Sequence, residues 1–193
     1  MKIVFATHNQ NKLNEVRNLL SENFQILSLE DIGCVEEIPE TGKTLEENAK
    51  IKADHVTKNF GFDCFSDDTG LLVDALGGAP GVYSARYAGN QKNAKDNMAK
   101  LLNDLKGKSQ RDAHFKTVIH FNFNGQSHVF EGVVNGSILE KEFGTDGFGY
   151  DPIFKPEGFD QTFGELPLEV KNSVSHRAKA VQKLVEFLKG QII

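Results

Sequence analysis

The chain has no tryptophan, only two cysteines and only five prolines among its 193 residues. Cys34 and Cys64 are far apart in the sequence and form no close-spaced ligand motif, so we expect reduced, partly buried thiols and neither a disulfide nor a zinc site. No apolar run is long enough to cross a bilayer, and the short apolar stretch after Met1 is too short for a signal peptide. These absences predict a soluble protein of the cytoplasm.

An excess of positive charge is also lacking. The formal net charge is −5, from 22 basic and 27 acidic side chains, which argues against a nucleic-acid partner and requires any anion site to be a local basic pocket. Phenylalanine, in contrast, is abundant, with 15 residues. The length suits one domain over residues 1–193 with a phenylalanine-rich core.

Hydrophobic periodicity divides the chain into alternating strands and helices. Thr44 and Glu47 form a capping-box pattern at the start of a helix, and Asn124-Gly125 between two strand-like runs predicts a hairpin. Early strand–helix units followed by a hairpin predict an α/β fold with a mixed sheet flanked by helices. The predicted helices are 12–21, 44–59, 93–105 and 175–189, and the predicted strands are 2–6, 24–29, 64–66, 113–123 and 126–134.

A polar loop follows the first predicted strand and leads into a helix. Backbone N–H groups at such a helix start, together with a lysine one turn in, suit phosphate binding. The alternative is an ordinary capped turn with a solvated lysine. The residues of this loop are Thr7, His8, Asn9, Gln10, Asn11 and Lys12.

Gly42-Lys43-Thr44 looks like the end of a Walker A motif, but that motif requires a glycine where this chain has Glu37. Nearby acids would also repel a phosphate. We therefore exclude a P-loop and interpret Glu40 either as a carboxylate facing a metal ion or as a solvated acid near a helix start.

Asp67 and Asp68 end the short apolar run of residues 64–66. On an extended strand, adjacent side chains point to opposite faces, so one carboxylate can face a reaction centre while the other orients a neighbour. Carboxylates beside phosphates hold Mg²⁺ or take a proton from an attacking water. The alternative is a turn-forming pair of aspartates.

A third cluster combines a glycine-paired aromatic turn with side chains that mostly donate hydrogen bonds. Aromatic rings can stack a base, and the donors can bind an anion or a carbonyl oxygen. The same residues could equally be core aromatics and structural charges. They are Phe148, Gly149, Tyr150, Asp151, Lys171, His176 and Arg177.

The three clusters together indicate a nucleotide-processing enzyme, and the residues resemble the Ham1/inosine triphosphate pyrophosphatase family almost from end to end. His8 replaces a glycine common in that family, and Thr69 replaces a serine. The matching motifs are Thr7-x-Asn9-x-x-Lys12, Glu40-Thr41-Gly42, Glu47-Asn48-Ala49, Lys52-Ala53, Ser66-Asp67-Asp68-Thr69-Gly70, the run from Gly77 to Arg86, the run from Gly147 to Phe154, and Ser175-His176-Arg177.

The resemblance implies a homodimer whose subunit has two lobes around a central active-site cleft. It implies Mg²⁺-dependent hydrolysis of ITP, dITP and XTP to the monophosphate and pyrophosphate, a house-cleaning activity that removes deaminated purines. By this likeness, the loop from Thr7 to Lys12 binds phosphates, Glu40 and Asp68 hold Mg²⁺, and Asp68 is the general base. Supporting and substrate-binding roles fall to Lys52, Asp67, Thr69, Phe148, Gly149, Tyr150, Asp151, Lys171, His176 and Arg177, the last seven of them around the base.

Two alternatives stay open at this point. The enzyme could act on other modified nucleotides, or the chain could be a catalytically silent module that senses or sequesters nucleotides. The presence of Lys12, Glu40 and Asp68 argues against a silent module. Partners other than small-molecule nucleotides and a second subunit are not expected.

Overall fold

The computed structural model describes residues 1–19 and 24–191. Its main elements alternate in the order that the sequence predicts, with one six-stranded sheet in the order β2-β1-β3-β4-β5-β6. The strands are β1 (Lys2–Phe5), β2 (Gln25–Leu27), β3 (Cys64–Val73), β4 (Asp112–Phe123), β5 (Gln126–Ile138) and β6 (Phe154–Pro156). The α-helices are α1 (Gln10–Leu19), α2 (Leu45–Phe60), α3 (Ala94–Asp104), α4 (Leu168–Val174) and α5 (His176–Lys189).

The sheet is mixed, as predicted. β1 pairs in parallel with both β2 and β3, and Phe5 of β1 lies opposite Phe65 of β3. β5 and β6 pair antiparallel. Parallel neighbours early in the chain and an antiparallel pair late in the chain confirm the predicted α/β class.

Two local predictions are confirmed by their backbone geometry. The Oγ1 of Thr44 accepts the N–H of Glu47 at 3.1 Å, as the capping-box pattern requires at the start of α2. Asn124 and Gly125 both have positive φ angles, 48° and 76°, which is the conformation of a two-residue hairpin turn between β4 and β5.

Other boundaries differ from the prediction. β3 continues to Val73, so Asp67 and Asp68 lie inside the strand and not at its end. Most of the ten residues of β3 are buried, as expected for an interior strand whose backbone bonds to neighbours on both sides. β6 and α4 were not predicted, and α4 places Lys171 on a helix instead of a loop. The predicted end of the first helix, residue 21, lies outside the described ranges.

The chain divides into two compact units. Unit 1 contains Met1–Asp68, Thr117–Gly132 and Arg177–Ile193, and unit 2 contains Thr69–Lys116 and Val133–His176. The ring of Phe5 stacks on that of Phe65 at 4.6 Å in unit 1, and the ring of Phe115 meets that of Phe154 at 4.7 Å in unit 2. Each unit therefore has its own phenylalanine-rich core, as the composition predicted. Throughout residues 1–19 and 24–191, no helix has the length and apolar character needed to cross a membrane.

Candidate active site

Asp67 of β3 is the centre of a buried ion-pair cluster in unit 1. Its Oδ1 accepts a hydrogen bond from Nζ of Lys12 at 3.0 Å, and its Oδ2 accepts one from Nε of Arg177 at 3.2 Å. The side chains of Asp67 and Arg177 are only 1% and 2% exposed. Strand β3 and the starts of helices α1 and α5 therefore supply the three partners.

The surrounding charges determine the ionisation of this cluster. Burial alone would raise the pKa of Asp67, but the positive charges of Lys12, Arg177 and Lys52 outweigh it and hold that pKa well below its usual value. Burial lowers the pKa of Lys12, although Asp67 partly opposes that effect. Asp67 is therefore a permanent anion that positions two cations.

Asp68, the next residue of β3, has a different set of partners. Its Oδ2 accepts the amide N–H of Asn48 at 3.1 Å, and its Oδ1 lies 3.9 Å from Nζ of Lys52. The same Nζ is 2.6 Å from Oε1 of Glu40 and donates to the backbone oxygen of Asp67 at 2.8 Å. The ammonium group of Lys52 thus lies close to the carboxylates of Glu40 and Asp68. The side chains of Asp67 and Asp68 have different hydrogen-bond partners, as alternation along a strand predicts.

The pKa of Asp68 shifts in the opposite direction to that of Asp67. Burial raises the pKa of Asp68 above its usual value, the charge of Glu40 adds to this effect, and Lys52, Lys12 and Asn48 oppose it. Burial would lower the pKa of Lys52, yet Asp68, Glu40 and Asp67 together raise it. A carboxylate with a raised pKa beside a permanent cation is suited to take up a proton.

The polar loop before α1 is held by its own side chains. Oδ1 of Asn9 accepts the backbone N–H groups of Asn11 at 3.0 Å and Lys12 at 3.2 Å, and so caps the helix. Oγ1 of Thr7 accepts the N–H of Asn9 at 3.1 Å. His8 and Gln10 are exposed, and Nε2 of His8 lies 3.0 Å from the backbone oxygen of Glu36. Lys12 is thus the member of this loop that joins the ion-pair cluster.

Unit 2 contains a separate buried ion pair. Nζ of Lys171 donates to Oδ2 of Asp151 at 2.8 Å, and both side chains are 4% exposed. The same oxygen accepts the backbone N–H of Phe148 at 2.7 Å. A side chain at Gly147 would collide with Oδ2 of Asp151, and the φ of Gly147, 79°, also favours glycine. This pair therefore fixes the shape of the glycine-rich turn.

The remaining predicted residues of unit 2 are mostly buried. The hydroxyl of Tyr150 donates to the backbone oxygen of Ser84 at 2.8 Å, and burial raises the pKa of Tyr150. The ring of His176 stacks on Phe115 with centroids 4.6 Å apart and is 4% exposed. Nζ of Lys171 lies 4.9 Å from the ring centroid of Phe148, which is only half-buried. Phe148 thus presents the more accessible aromatic ring of this turn.

The structure brings the predicted residues together in two groups. Those of unit 1 are Lys12, Glu40, Lys52, Asp67, Asp68 and Arg177, and those of unit 2 are Phe148, Asp151 and Lys171. Gly149, with a φ of 64°, lies in the same turn, and half-buried Thr69 follows Asp68 in β3. The sequence analysis gave no role to Asn48. Its position one helical turn before Lys52, on the buried face of α2, could have indicated that the two side chains reach the same site.

These observations define a mixed α/β protein with a buried cluster of ionisable groups whose pKa values are displaced in both directions, a pattern that is common at catalytic centres. The sequence model of the Ham1 family matches residues 3–187, so the chain belongs to the Ham1 family.

Curated relatives and solved structures agree with this assignment. The chain is 60% identical over 188 residues to a dITP/XTP pyrophosphatase of Flavobacterium johnsoniae, covering 97% of this chain and 98% of the relative. It is 46% identical to a dITP/XTP pyrophosphatase of Bacillus subtilis, covering 97% and 96%. The solved structure of the Staphylococcus aureus Ham1 protein matches with a TM-score of 0.91 and 38% identity, covering 99% of this chain and 100% of that one.

Proposed function

We propose that this protein hydrolyses deaminated purine nucleoside triphosphates, namely ITP, dITP and XTP, to the monophosphate and pyrophosphate. The observation that carries the proposal is Asp68, a buried carboxylate with a raised pKa whose Oδ1 lies 3.9 Å from Nζ of Lys52. The names of the relatives, dITP/XTP pyrophosphatases, support the choice of substrates. By removing such nucleotides, the enzyme would clear deaminated purines from the nucleotide pool.

Asp68 would act as the general base. A water oxygen attacks the α-phosphorus while Asp68 accepts one of its protons; the bond from the α-phosphorus to the bridging oxygen breaks, and pyrophosphate leaves. The new oxygen therefore ends in the monophosphate. Base catalysis of this kind contributes about 10²–10⁴-fold to the rate.

Lys12 would bind the phosphate oxygens. Its Nζ is held at 3.0 Å from Oδ1 of Asp67, and Asp67 is itself anchored by Arg177. A positioned cation stabilises negative charge that is redistributed in the transition state, at no cost of reorientation during the reaction. The neighbouring loop from Thr7 to Asn11 would supply further polar contacts to the phosphates.

Glu40 and Asp68 fit a magnesium ion. Both offer carboxylate oxygens, the ligands that Mg²⁺ prefers, and the negative charge of Glu40 adds to the burial that raises the pKa of Asp68. Nζ of Lys52, 2.6 Å from Oε1 of Glu40, partly offsets this negative charge, and a bound cation would offset more of it. When bound, Mg²⁺ would neutralise charge on the phosphate oxygens.

Unit 2 would recognise the base. Phe148 is the half-buried ring of the turn that Asp151 and Lys171 hold in place, and a purine can stack on such a ring. His176, which also belongs to unit 2, is a second candidate for binding the base. Hypoxanthine and xanthine carry an acceptor oxygen at C6 where adenine carries an amino donor, so a donor side chain favours the deaminated base.

Arg177 is the predicted donor to that C6 oxygen. The Nε of this guanidinium is committed to Asp67, and arginine has five N–H donors in all, so base reading would have to use the Nη groups. Comparison of kcat/KM for ITP, ATP and GTP in the Arg177→Ala protein tests this role. A loss confined largely to ITP supports base reading, whereas equal proportional losses reassign Arg177 to the support of Asp67.

The activity itself is tested by incubating the protein and Mg²⁺ with ITP, dITP, XTP, ATP and GTP in ¹⁸O-labelled water. We expect rapid release of pyrophosphate from the deaminated nucleotides only, with the label in the monophosphate. Label in the pyrophosphate, or release of inorganic phosphate, would contradict attack at the α-phosphorus. Nucleotide binding without any turnover would favour the silent module.

A homodimer and a cytoplasmic location complete the proposal. The dimer rests on the family resemblance, and the location rests on the composition of the chain. Sedimentation of the purified protein at several concentrations tests the dimer.

A further inference from the structure

A second cluster of ligating groups lies in unit 1, outside the ion-pair cluster. It consists of Sγ of Cys34, a carboxylate oxygen of Glu36 and a ring nitrogen of His55, all within 4.8 Å of one another. Cys34 and Glu36 belong to the segment before α2, and His55 is on α2 itself. Thiolate, imidazole and carboxylate together are a ligand set for a borderline-soft cation and not for Mg²⁺.

The atom Nε2 of His55 points into this cluster in an unusual state. It is buried and has no hydrogen-bond partner, although Oε1 of Glu36 is only 2.9 Å away, so the angle of this contact is not that of a hydrogen bond. Buried polar atoms are normally hydrogen-bonded or bound to an ion. A metal ion between Nε2 and Oε1 would give both atoms a partner.

The second ring nitrogen of His55, Nδ1, has a hydrogen-bonding neighbour on the same helix. Nδ1 lies 3.2 Å from Nδ2 of the side-chain amide of Asn59, one helical turn further along α2. Histidine ligands of metal ions usually have such a partner on the second nitrogen, because it fixes the tautomer and the direction of the ring. In this orientation Nδ2 of Asn59 donates to Nδ1; a half-turn of the amide would instead place its oxygen there, so that Nδ1–H donates and Nε2 presents its lone pair to the cluster.

The required movements are small. In a tetrahedral zinc site with bonds of about 2.0–2.3 Å, ligand atoms lie about 3.5 Å apart. Glu36 would have to move slightly away from His55, and its side chain is 65% exposed and therefore able to do so. Cys34 is 1% exposed and would form the inner wall, which leaves the fourth position to water on the Glu36 side.

We propose that Cys34, Glu36 and His55 form a binding site for a thiophilic divalent cation, and that Zn²⁺ is the cation that suits these ligands best. This site is independent of the Mg²⁺ position at Glu40 and Asp68. Bound metal would join the segment of residues 34–36 to helix α2, which also carries Asn48 and Lys52. The expectation of no zinc site rested on the lack of a close-spaced cysteine motif, whereas the ligands of this site meet only in the fold.

Cobalt titration of metal-free protein in excess Mg²⁺ tests the site. Co²⁺ bound to a thiolate gives a sulfur-to-metal charge-transfer band in the near ultraviolet, whereas Co²⁺ at carboxylate sites gives none. We expect the band to saturate at one equivalent and to be abolished by one equivalent of Zn²⁺. The Cys34→Ala protein should lose the band, and the matched Cys64→Ala protein should keep it.

If the Cys34→Ala protein fails to fold, the site can be tested at its two more accessible ligands, Glu36 and His55. Glu36→Gln and His55→Gln should each weaken Zn²⁺ binding by more than about tenfold, since loss of even an outer partner costs 10–100-fold. The adjacent Glu37→Gln is the control and should bind normally. Absence of a thiolate band in the wild type, its persistence in Cys34→Ala, or normal affinity in both glutamine variants would overturn the proposal.

Discussion

The two units handle buried charge in different ways. In unit 1, three cations and three carboxylates crowd together: Lys12, Lys52, Arg177, Glu40, Asp67 and Asp68. Their pKa values are pushed in both directions, with that of Asp67 lowered and that of Asp68 raised. In unit 2, Lys171 and Asp151 form a buried pair, and one oxygen of Asp151 accepts hydrogen bonds from both the ammonium group and a backbone N–H.

This difference indicates a chemical role for the ion-pair cluster of unit 1 and a structural role for the ion pair of unit 2. In the cluster of unit 1, burial raises the pKa of Asp68 against the opposing effect of Lys52, which suits this carboxylate for taking up a proton. In unit 2, the pair of Lys171 and Asp151 holds the turn around Phe148. Substitutions in unit 1 should therefore separate activity from stability, whereas substitutions in unit 2 should affect the two together.

The sharpest test of this comparison is Asp68→Asn. The amide cannot accept a proton, so we expect kcat for ITP to fall by about 10²–10⁴-fold. The free energy of unfolding should stay equal or rise, because burial disfavours the ionised form of Asp68. Steady-state kinetics and urea unfolding measure the two effects. The exposed Asp160→Asn is the control, and turnover near that of the wild type would remove Asp68 as the base.

Asp67→Asn should lower the stability strongly. Removing this charge leaves Lys12 and Arg177 buried without their anion, which typically costs about 3–5 kcal/mol. Since the folded-state pKa of Asp67 is depressed, its stabilisation is complete above the usual aspartate pKa and is lost as the pH falls through the folded value. Urea unfolding at a series of acid pH values should therefore show a flatter pH dependence for the variant. Parallel curves would contradict this assignment.

Lys171→Met breaks the pair of unit 2. Asp151 keeps the N–H of Phe148 but loses its ammonium partner, so we expect a loss of about 1–3 kcal/mol in the free energy of unfolding. Turnover and KM for ITP should worsen in step as the turn loosens. The exposed Lys141→Met is the matched control. Normal stability with a large change in KM alone would make Lys171 a direct base contact and not a support.

The sequence predicted the elements whose signals are local. The capping box of Thr44 and the hairpin at Asn124-Gly125 depend on neighbouring residues, and both are confirmed. The strand β3 was predicted too short because Asp-Asp-Thr-Gly is typical of turns, while its place between β1 and β4 in the sheet outweighs that propensity. Short α4 was missed because its seven residues contain little apolar periodicity.

The sequence analysis named the members of the buried ion pairs but not their pairing. The contact of Arg177 with Asp67 joins residues 110 positions apart, and no local pattern contains that information. The family resemblance selected both residues without showing that they meet. Similarly, Lys171 and Asp151 were both assigned to base binding, and only the structure shows that they bond to each other.

The smallest effect expected is a shift in pH dependence when Asn48 is replaced by alanine. Its Nδ2 donates to Oδ2 of Asp68 at 3.1 Å, and this hydrogen bond lowers the pKa of Asp68 against the larger effect of burial, which raises it. Without it, the pKa of Asp68 should rise further. Since the base must be ionised, the acid limb of kcat/KM for ITP should move to higher pH. Asn122→Ala, which removes a similarly buried amide that bonds to Asp54 and not to the site, should leave the acid limb in place.

Asn48 also accepts the N–H of Gly42 at 2.8 Å. If the maximum of kcat/KM falls while the acid limb stays in place, Asn48 only holds the turn at Gly42 and does not act on Asp68.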